Sequence, residues 1–448
     1  MRPVVVIGAG PQGLAAAAHL IERGLEPLVL EAGDGPAASV ADWGHVRLFS
    51  GWSELVDGAA QRLLEPTGWK APTAAADGTQ YPTGSEWIES YLAPLAQELG
   101  ERVRYGSRVV GVARKGRDLS VDAGRDSEPL VVQLRRGDGA EARVEASAVI
   151  DASGTWTTPN PAGAEGLPAL GETAARETGV VATRIPNADE AQSLAGKHIV
   201  VVGNGHSAAT AITALADVAK REPETHVSWV LRRGTVGNTF GGGAADELPE
   251  RGALGQRAGR AVRHGDVEMV TAFRTERIEL VDGRAALTAE DGRTLEPADQ
   301  VYVLTGFRPD LTFLTEVRLD LDLRLQAPAK VATEVDPNEH SCGSVRATGA
   351  ADLAHPESNF YIVGAKSYGR APTFLALTGY EQVRSVVAEI AGDREAAARV
   401  DLVLPDTGVC GGAGDFDAPA GSQLSGACCA PAPAQPQSVE LGLSPAAR

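Results

Sequence analysis

Along this chain the apolar positions gather into short runs of four or five β-formers, and two of these runs end in the same glycine punctuation. Val4-Val5-Val6-Ile7 passes into Gly8-Ala9-Gly10-Pro11-Gln12-Gly13 and then into an alanine-rich stretch, Leu14–Ile21, that reads as a helix. Ile199-Val200-Val201-Val202 passes into Gly203-Asn204-Gly205-His206-Ser207-Ala208, and Ser207–Leu215 continues in the same way. A further apolar run follows each helix, Glu26–Leu30 in the first case and Val227–Leu231 in the second. Each stretch therefore predicts a β-α-β unit.

The remaining pattern predicts a helix over Ser85–Leu99, with Ser85 as its cap and Glu86 and Glu89 in its first turns. Strands are expected at Val103–Tyr105 and Val109–Arg114, the latter containing Val110. A meander follows, turning at Gly124-Arg125-Asp126 and Arg136-Gly137-Asp138-Gly139, and the run Ala148–Ile150 leads into Asp151-Ala152-Ser153-Gly154-Thr155. Beyond the second β-α-β unit come a glycine-rich loop, Phe240-Gly241-Gly242-Gly243, and a hairpin around Asp282-Gly283 and Asp291-Gly292. Gln300–Leu304 ends in Thr305-Gly306-Phe307-Arg308-Pro309-Asp310 and resembles the Ile150–Gly154 element. A last strand, Phe360–Gly364, precedes a loop and a helix over Leu375–Ile390.

The expected fold class is α/β: two Rossmann-like dinucleotide-binding domains, one inserted in the other. Residues 1–158 and 298–404 form the two segments of the host domain, with Gln300–Asp310 marking the return to it, and 159–297 form the insert. Residues 405–448, rich in Gly, Ala, Pro and Ser, are expected to be disordered.

The glycine spacing has a chemical reason. Gly8 and Gly203 permit the tight turn from strand to helix. Gly10 and Gly205 let a pyrophosphate approach the backbone, and Gly13 and Ala208 are small enough for helix to pack on strand. The phosphates then lie on a helix N-terminus, at Pro11 and Gln12 in one unit and at His206 and Ser207 in the other. A carboxylate closing the next strand, Glu31, accepts hydrogen bonds from ribose hydroxyls and repels a 2′-phosphate, which suits FAD or NAD. Arg232 and Arg233 close the equivalent strand of the second unit, where guanidinium groups fork onto a 2′-phosphate, which suits NADPH. The alternative for the two arginines is a solvated strand end. Two such sites in one chain point to FAD held by the host domain and NADPH delivered by the insert.

Composition narrows the setting. The 448 residues carry a formal net charge of −18, which argues against nucleic acid and anionic membranes as partners. No run approaches the roughly 18 apolar residues of a membrane span, and the chain enters its first strand directly after Met1-Arg2-Pro3, so no signal peptide is expected. Four cysteines, none before Cys342, do not make a disulfide scaffold, and a cytoplasmic location is expected.

With these residues on the page, the chain resembles two-dinucleotide-binding flavoproteins, and within them the flavin-containing and N-hydroxylating monooxygenases more than the disulfide reductases. The carriers are Gly8, Gly10 and Gly13 with Glu31; Gly203, Gly205 and Ala208 with Arg232 and Arg233; and Leu304-Thr305-Gly306-Phe307-Arg308-Pro309, similar to the Thr-Gly-aromatic-x-Pro element that joins the two domains. The stretches Trp43–Ser50, Asn338–Gly343 and Gly364–Pro372 resemble flavoprotein monooxygenases associated with bacterial arsenic-resistance genes. Two departures accompany the likeness. The region Gly166–Glu172 lacks the histidine-containing signature of flavin-containing monooxygenases, and Ala365 and Lys366 follow Gly364 where an aspartate is frequent.

The resemblance implies an NADPH-dependent FAD monooxygenase. Oxygen adds at the flavin C4a position and passes to a soft nucleophilic atom, with trivalent arsenic or an organoarsenical as the suggested acceptor. The expected partners are then a small-molecule substrate and O2, and a homodimer remains open. Trp43, His45 and Arg47 would face the middle of the flavin or simply pack. Thr378 opens a helix whose dipole would face the flavin. Lys366 would lie beside the reduced ring or be a surface lysine, and Arg370 would hold a phosphate, hold an anionic substrate, or be solvated. No dithiol occurs where disulfide reductases carry one. Cys410, Cys428 and Cys429 remain as soft-metalloid ligands on a tail, or as a tail without function. The second reading is therefore a flavin reductase or oxidase whose C-terminal thiols handle a metalloid or disulfide. A third is a non-catalytic redox sensor.

Overall fold

The valine-rich runs become strands because branched side chains pack well on a pleated surface. The glycines that follow let each strand turn sharply into a helix. A computed structural model describes residues 2–241, 246, 248–337, 346–371, 374–400 and 402. In chain order its strands are β1 (Val4–Ile7), β2 (Pro27–Leu30), β3 (Val103–Arg104), β4 (Ser107–Arg114), β5 (Leu130–Arg136), β6 (Glu141–Ala146), β7 (Ala148–Asp151) and β8 (Val181–Ala182). They continue as β9 (His198–Val202), β10 (His226–Val230), β11 (Glu268–Val270), β12 (Thr275–Val281), β13 (Arg284–Ala289), β14 (Gln300–Val303) and β15 (Phe360–Ile362). Three helices matter most for the site: α1 (Pro11–Glu22), α2 (His206–Arg221) and α3 (Ala376–Ile390).

Two parallel five-stranded sheets organise the molecule, in the orders β15-β7-β1-β2-β3 and β11-β10-β9-β14-β8. A three-stranded antiparallel sheet, β4-β5-β6, lies beside the first, and the β12-β13 hairpin belongs to the second unit. The central strands β1 and β9 are buried on both faces, as expected where helices cover a parallel sheet. Helix α1 packs its alanines into the core of the first sheet with Leu14, Leu20 and Tyr380. Helix α2 does the same for the second with Ile212, Leu215 and Trp229.

Two local expectations change, and a third gains its cause. The strand Gln300–Val303, read as the return to the host domain, pairs with β9 and β8 in the second sheet. Its run is short and apolar like that of β7, so local sequence does not distinguish the two placements. The helix expected over Ser85–Leu99 with Ser85 as cap starts at Gly84 instead, with Thr83 as cap. The Thr83 hydroxyl accepts from Glu86 N (3.3 Å), and the Glu86 carboxylate accepts from Thr83 N (2.7 Å), a reciprocal box. Pro94 has no N–H to continue the ladder, and a π-turn, Ile88–Leu92, accommodates it. Finally, the Gly124–Asp126 turn is held shut by buried ion pairs, in which Arg114 and Arg125 both grip Glu357 at 2.7 Å.

Among the described residues no helix is long and apolar enough to cross a membrane.

Candidate functional site

The first glycine turn is shaped by close contact. Gly8 has φ +97°, and a Cβ there would meet the Ala152 carbonyl at 2.9 Å; a Cβ on Gly13 would meet the Gly8 carbonyl at 1.9 Å. Gly10 differs, because a Cβ there would meet nothing within 4 Å. No side chain caps α1. Its first-turn N–H groups are thus left for a ligand, and the backbone is open where that ligand would lie. Glu31 at the end of β2 accepts from Ala9 N (2.6 Å) and Gly33 N (2.7 Å). These bonds fix its carboxylate at the rim of the turn, the placement a ribose hydroxyl requires. Val110 is the extra residue of a bulge in β4, between Val109 and Gly111.

Helix α3 enters beside α1. The side chain of Gln12 runs between the two, donating to Ala376 O (3.2 Å). It lies against Gly364 and Gly379, where a Cβ would stand 3.3 and 2.6 Å from Gln12 Cγ. Helix α3 also lacks a side-chain cap. Two uncapped N-termini therefore lie side by side at the carboxyl edge of the first sheet, next to Gly154, where a Cβ would also meet only open space. This arrangement fits the pyrophosphate and ring of FAD: small residues at the backbone and free N–H groups at two helix ends. Thr378 is buried within α3.

Lys366 is neither a surface lysine nor an unpaired charge. It is fully buried, donates to Asp151 Oδ2 (2.7 Å) and Ser153 Oγ (3.1 Å), and sits 4.3 Å from the centre of the Phe313 ring. The pair straps the loop after β15 to the loop after β7. Asp151 was not singled out from the sequence, because its partner lies far along the chain. Arg47 is likewise occupied. It pairs with Asp77 (2.6 Å), donates to Thr79 Oγ1 (3.1 Å), and bonds the Tyr81 carbonyl, tying down residues 77–81. Trp43 packs on Gly84, and His45 is exposed.

The second turn repeats the first. A Cβ on Gly203 (φ +130°) would meet the Leu304 carbonyl at 2.2 Å, whereas Gly205 opens on empty space and α2 has no side-chain cap. Ser207 is in its first turn and Ala208 is buried beneath it. The His206 ring reaches solvent, yet the surrounding protein and the positive Arg251 lower its pKa to about 4, so it is neutral at pH 7. Phe49 meets that ring edge-on at 5.2 Å. Val46 and Phe49 are packed against the second core, so the Trp43–Phe49 stretch of the first unit reaches the phosphate turn of the second. Burial and the charge of Arg233 both lower the pKa of Arg232 at the end of β10. An anionic 2′-phosphate there would relieve this repulsion, which fits NADPH.

The chain passes between the units twice, and Asn160 stitches the passages together. Its amide donates to Thr305 O (3.1 Å), its Oδ1 accepts from Arg308 Nε (2.9 Å), and its carbonyl accepts from Thr305 Oγ1 (2.7 Å). Gly306 (φ +87°) provides the backbone turn. Trp156 stacks on Phe307 at 4.8 Å and donates to Asp42 Oδ2 (2.8 Å). Arg370 is exposed and bonds Gln326 Oε1 (2.8 Å). Cys342, Cys410, Cys428, Cys429, residues 242–243 of the glycine-rich loop, and the stretches Asn338–Gly343 and 405–448 lie outside the described residues. Among the described residues no cluster of His, Cys, Asp and Glu could hold a metal ion.

Comparison with known proteins agrees with this geometry. A profile of the pyridine nucleotide-disulphide oxidoreductase family matches residues 5–334. A ferredoxin–NADP reductase of Ignicoccus hospitalis is 26% identical over 72% of this chain and 82% of its own. Bacillithiol disulfide reductase from Bacillus cereus superposes with a TM-score of 0.61 at 21% identity, covering 87% of this chain and 99% of that one. The FAD-bound cadaverine monooxygenase of desferrioxamine biosynthesis from Erwinia amylovora superposes with a TM-score of 0.57 at 16% identity, covering 90% and 98%. At these identities the solved structures speak to fold alone.

Proposed function

We propose a monooxygenase function for this chain, which belongs to the pyridine nucleotide-disulphide oxidoreductase family and is an FAD-dependent oxidoreductase that uses NAD(P)H. NADPH reduces the enzyme by two electrons, one atom of O2 passes to a soft nucleophilic atom of a small molecule in the cytoplasm, and the other leaves as water. Trivalent arsenic or an organoarsenical is the acceptor suggested by the resemblance of Trp43–Ser50 and Gly364–Pro372. The carrying observation is that two open glycine turns coexist with a sequence lacking any cysteine before Cys342, so the reductase-type dithiol is missing.

FAD, when bound, would supply hydride acceptance and activation of oxygen; the protein supplies position and field. The first turns of α1 and α3 hold negative charge at the phosphates and the ring edge. Gln12 keeps those two helix ends in register. Lys366 and Asp151 lock the two loops that flank the ring, as positioning residues. Arg232 and Arg233 anchor the incoming nucleotide, and neutral His206 adds no competing charge at its phosphates.

The test is rapid mixing. FAD-loaded enzyme is reduced anaerobically with NADPH and then mixed with oxygenated buffer, with and without arsenite or methylarsenite. A transient near-ultraviolet band before full reoxidation, and an oxygenated product, are expected. Direct reoxidation with stoichiometric peroxide under all conditions would refute the reading. It would favour the second one, a reductase or oxidase using C-terminal thiols; the likeness to ferredoxin–NADP reductase supports its reductase part alone. In that case Cys428→Ser with Cys429→Ser abolishes turnover while flavin reduction survives.

A further inference from the structure

The segment from Asp42 to Phe49 belongs to the first unit, yet its side chains divide between the two cores. Trp43 and Leu48 pack against the core of the first sheet, whereas Val46 and Phe49 pack against the core of the second. The segment is laced down along its length. Val46 O accepts from Gly84 N (3.0 Å), Leu48 N donates to Pro82 O (2.9 Å), and just beyond it Trp52 N donates to Gln80 O (3.2 Å). Arg47 adds its ties to Asp77, Thr79 and Tyr81. At the other end Asp42 Oδ2 accepts from the Trp156 indole (2.8 Å) at the crossing between the units. The backbone that carries Phe49 is therefore fixed on both sides of the ring.

That ring lies at the phosphate turn of the second unit. Its centre is 5.2 Å from that of His206, the first residue of α2, in an edge-on arrangement. The backbone at Gly205 stays clear, because a Cβ there would meet nothing within 4 Å. Phe49 thus flanks the route of a pyrophosphate to the N-terminus of α2 without filling it. Burial first, and Arg251 second, lower the pKa of His206 to about 4, as expected of a turn with one dry side. An apolar wall beside free N–H groups keeps water from them, and hydrogen bonds to phosphate are stronger there than in open solvent.

We propose that Phe49 is a positioning residue of the nicotinamide nucleotide site, a wall of the second unit's phosphate turn supplied by the first unit. The proposal rests on the reading of that turn as the NAD(P)H site, and on nothing about the oxygen step. A nucleotide bound at α2 then holds the two units in their docked arrangement. Docking tightens the nucleotide in return, because coupling between two equilibria is reciprocal. Loss of the ring weakens the nucleotide and loosens the docking through which hydride reaches the flavin.

The oxidised FAD-loaded enzyme is titrated calorimetrically with NADP+ and with NAD+, and the tighter of the two is carried through the variants. Its reduced form then reduces the flavin in anaerobic stopped flow. Phe49→Ala should weaken nucleotide binding about tenfold and slow the limiting rate of flavin reduction, with FAD content unchanged. Phe49→Tyr keeps the ring and should restore both. Phe49→Leu keeps apolar bulk and gives the reading if the alanine variant does not fold; it should weaken binding in the same direction. His206→Ala completes a double-mutant cycle, in which the joint effect should fall short of the sum because both changes remove one contact. Additive effects, or unchanged binding in Phe49→Ala and Phe49→Leu, would overturn the proposal. So would tighter binding without the ring, which would make Phe49 a plug. No binding of either nucleotide by the unaltered enzyme would overturn the proposal together with the reading of the second turn. No oxygen is admitted, so a failed oxygen reaction leaves the result standing.

Discussion

Gly10 and Gly13 differ by three positions and by opposite physical demands. Gly13 is glycine because the Gly8 carbonyl would lie 1.9 Å from any Cβ, whereas Gly10 is surrounded on the protein side by open space. Gly13→Ala should lower the stability of the FAD-free protein by about 1–3 kcal/mol, as overpacking does. Gly10→Ala should leave that stability unchanged yet lower FAD retention. Urea unfolding of the stripped proteins and flavin content of the purified ones separate these effects, and equal loss of stability in both variants would contradict the assignment.

His355 sets a pH limit. Its Nδ1 accepts from Asp320 N (3.2 Å), which requires a neutral ring, and burial lowers its pKa to about 4. The unfolded chain takes up that proton near pH 6.5. Stability therefore falls as pH drops from about 6.5 to about 4, where the folded state also binds the proton. Glu357 acts at lower pH. Burial raises its pKa, but the hydrogen bonds from Arg125 and Arg114 more than offset this and hold it below the usual glutamate range. Its contribution is lost as pH falls through that depressed value. His355→Gln should flatten the decline between pH 6.5 and 4 in urea titrations; an unchanged slope would remove His355 from the explanation.

At the scale of elements, the two crossing segments decide how the units communicate. Asn160→Ala frees Arg308 Nε and the Thr305 carbonyl, a loss of about 1–3 kcal/mol if both remain dry. Flavin reduction by NADPH should slow while FAD content stays constant; unchanged stopped-flow reduction would make Asn160 merely a local brace. Much of the element plan was legible in the sequence, because Val4–Leu30 and Ile199–Leu231 announce strand, turn and helix through local spacing. What was illegible depended on partners distant along the chain. Nothing near Gln300 tells that β14 joins β9, and nothing near Lys366 announces Asp151. Ser85 looked like a cap because serine suits that position, but Thr83 lies three residues before Glu86 and so completes the reciprocal box. Arg47 looked free for a cofactor because Asp77 is brought to it only by the fold.

For the whole molecule, charge is the feature that would separate the two nicotinamide nucleotides. A chain of net charge −18 that places Arg232 and Arg233 together at one strand end concentrates positive potential where the rest of the surface repels anions. Arg232→Ala with Arg233→Ala should lower the ratio of kcat/KM for NADPH over NADH by about 10- to 100-fold, the worth of a charged hydrogen bond or two. Steady-state kinetics with both nucleotides checks this, and a preserved ratio would leave the arginines as a solvated strand end.

The antiparallel bridge between Pro159 and Phe307 has a mechanical meaning. The chain leaves the first unit and re-enters it at almost the same point, so both ends of the inserted unit are clamped together. A force applied to the two ends of the protein, as by an unfoldase threading from one end, would be borne by the first sheet and by the Asn160 clasp. The second sheet would feel no tension until that clasp had parted. The inserted unit is thus a bight of chain outside the line of load, and it should yield last under a pull.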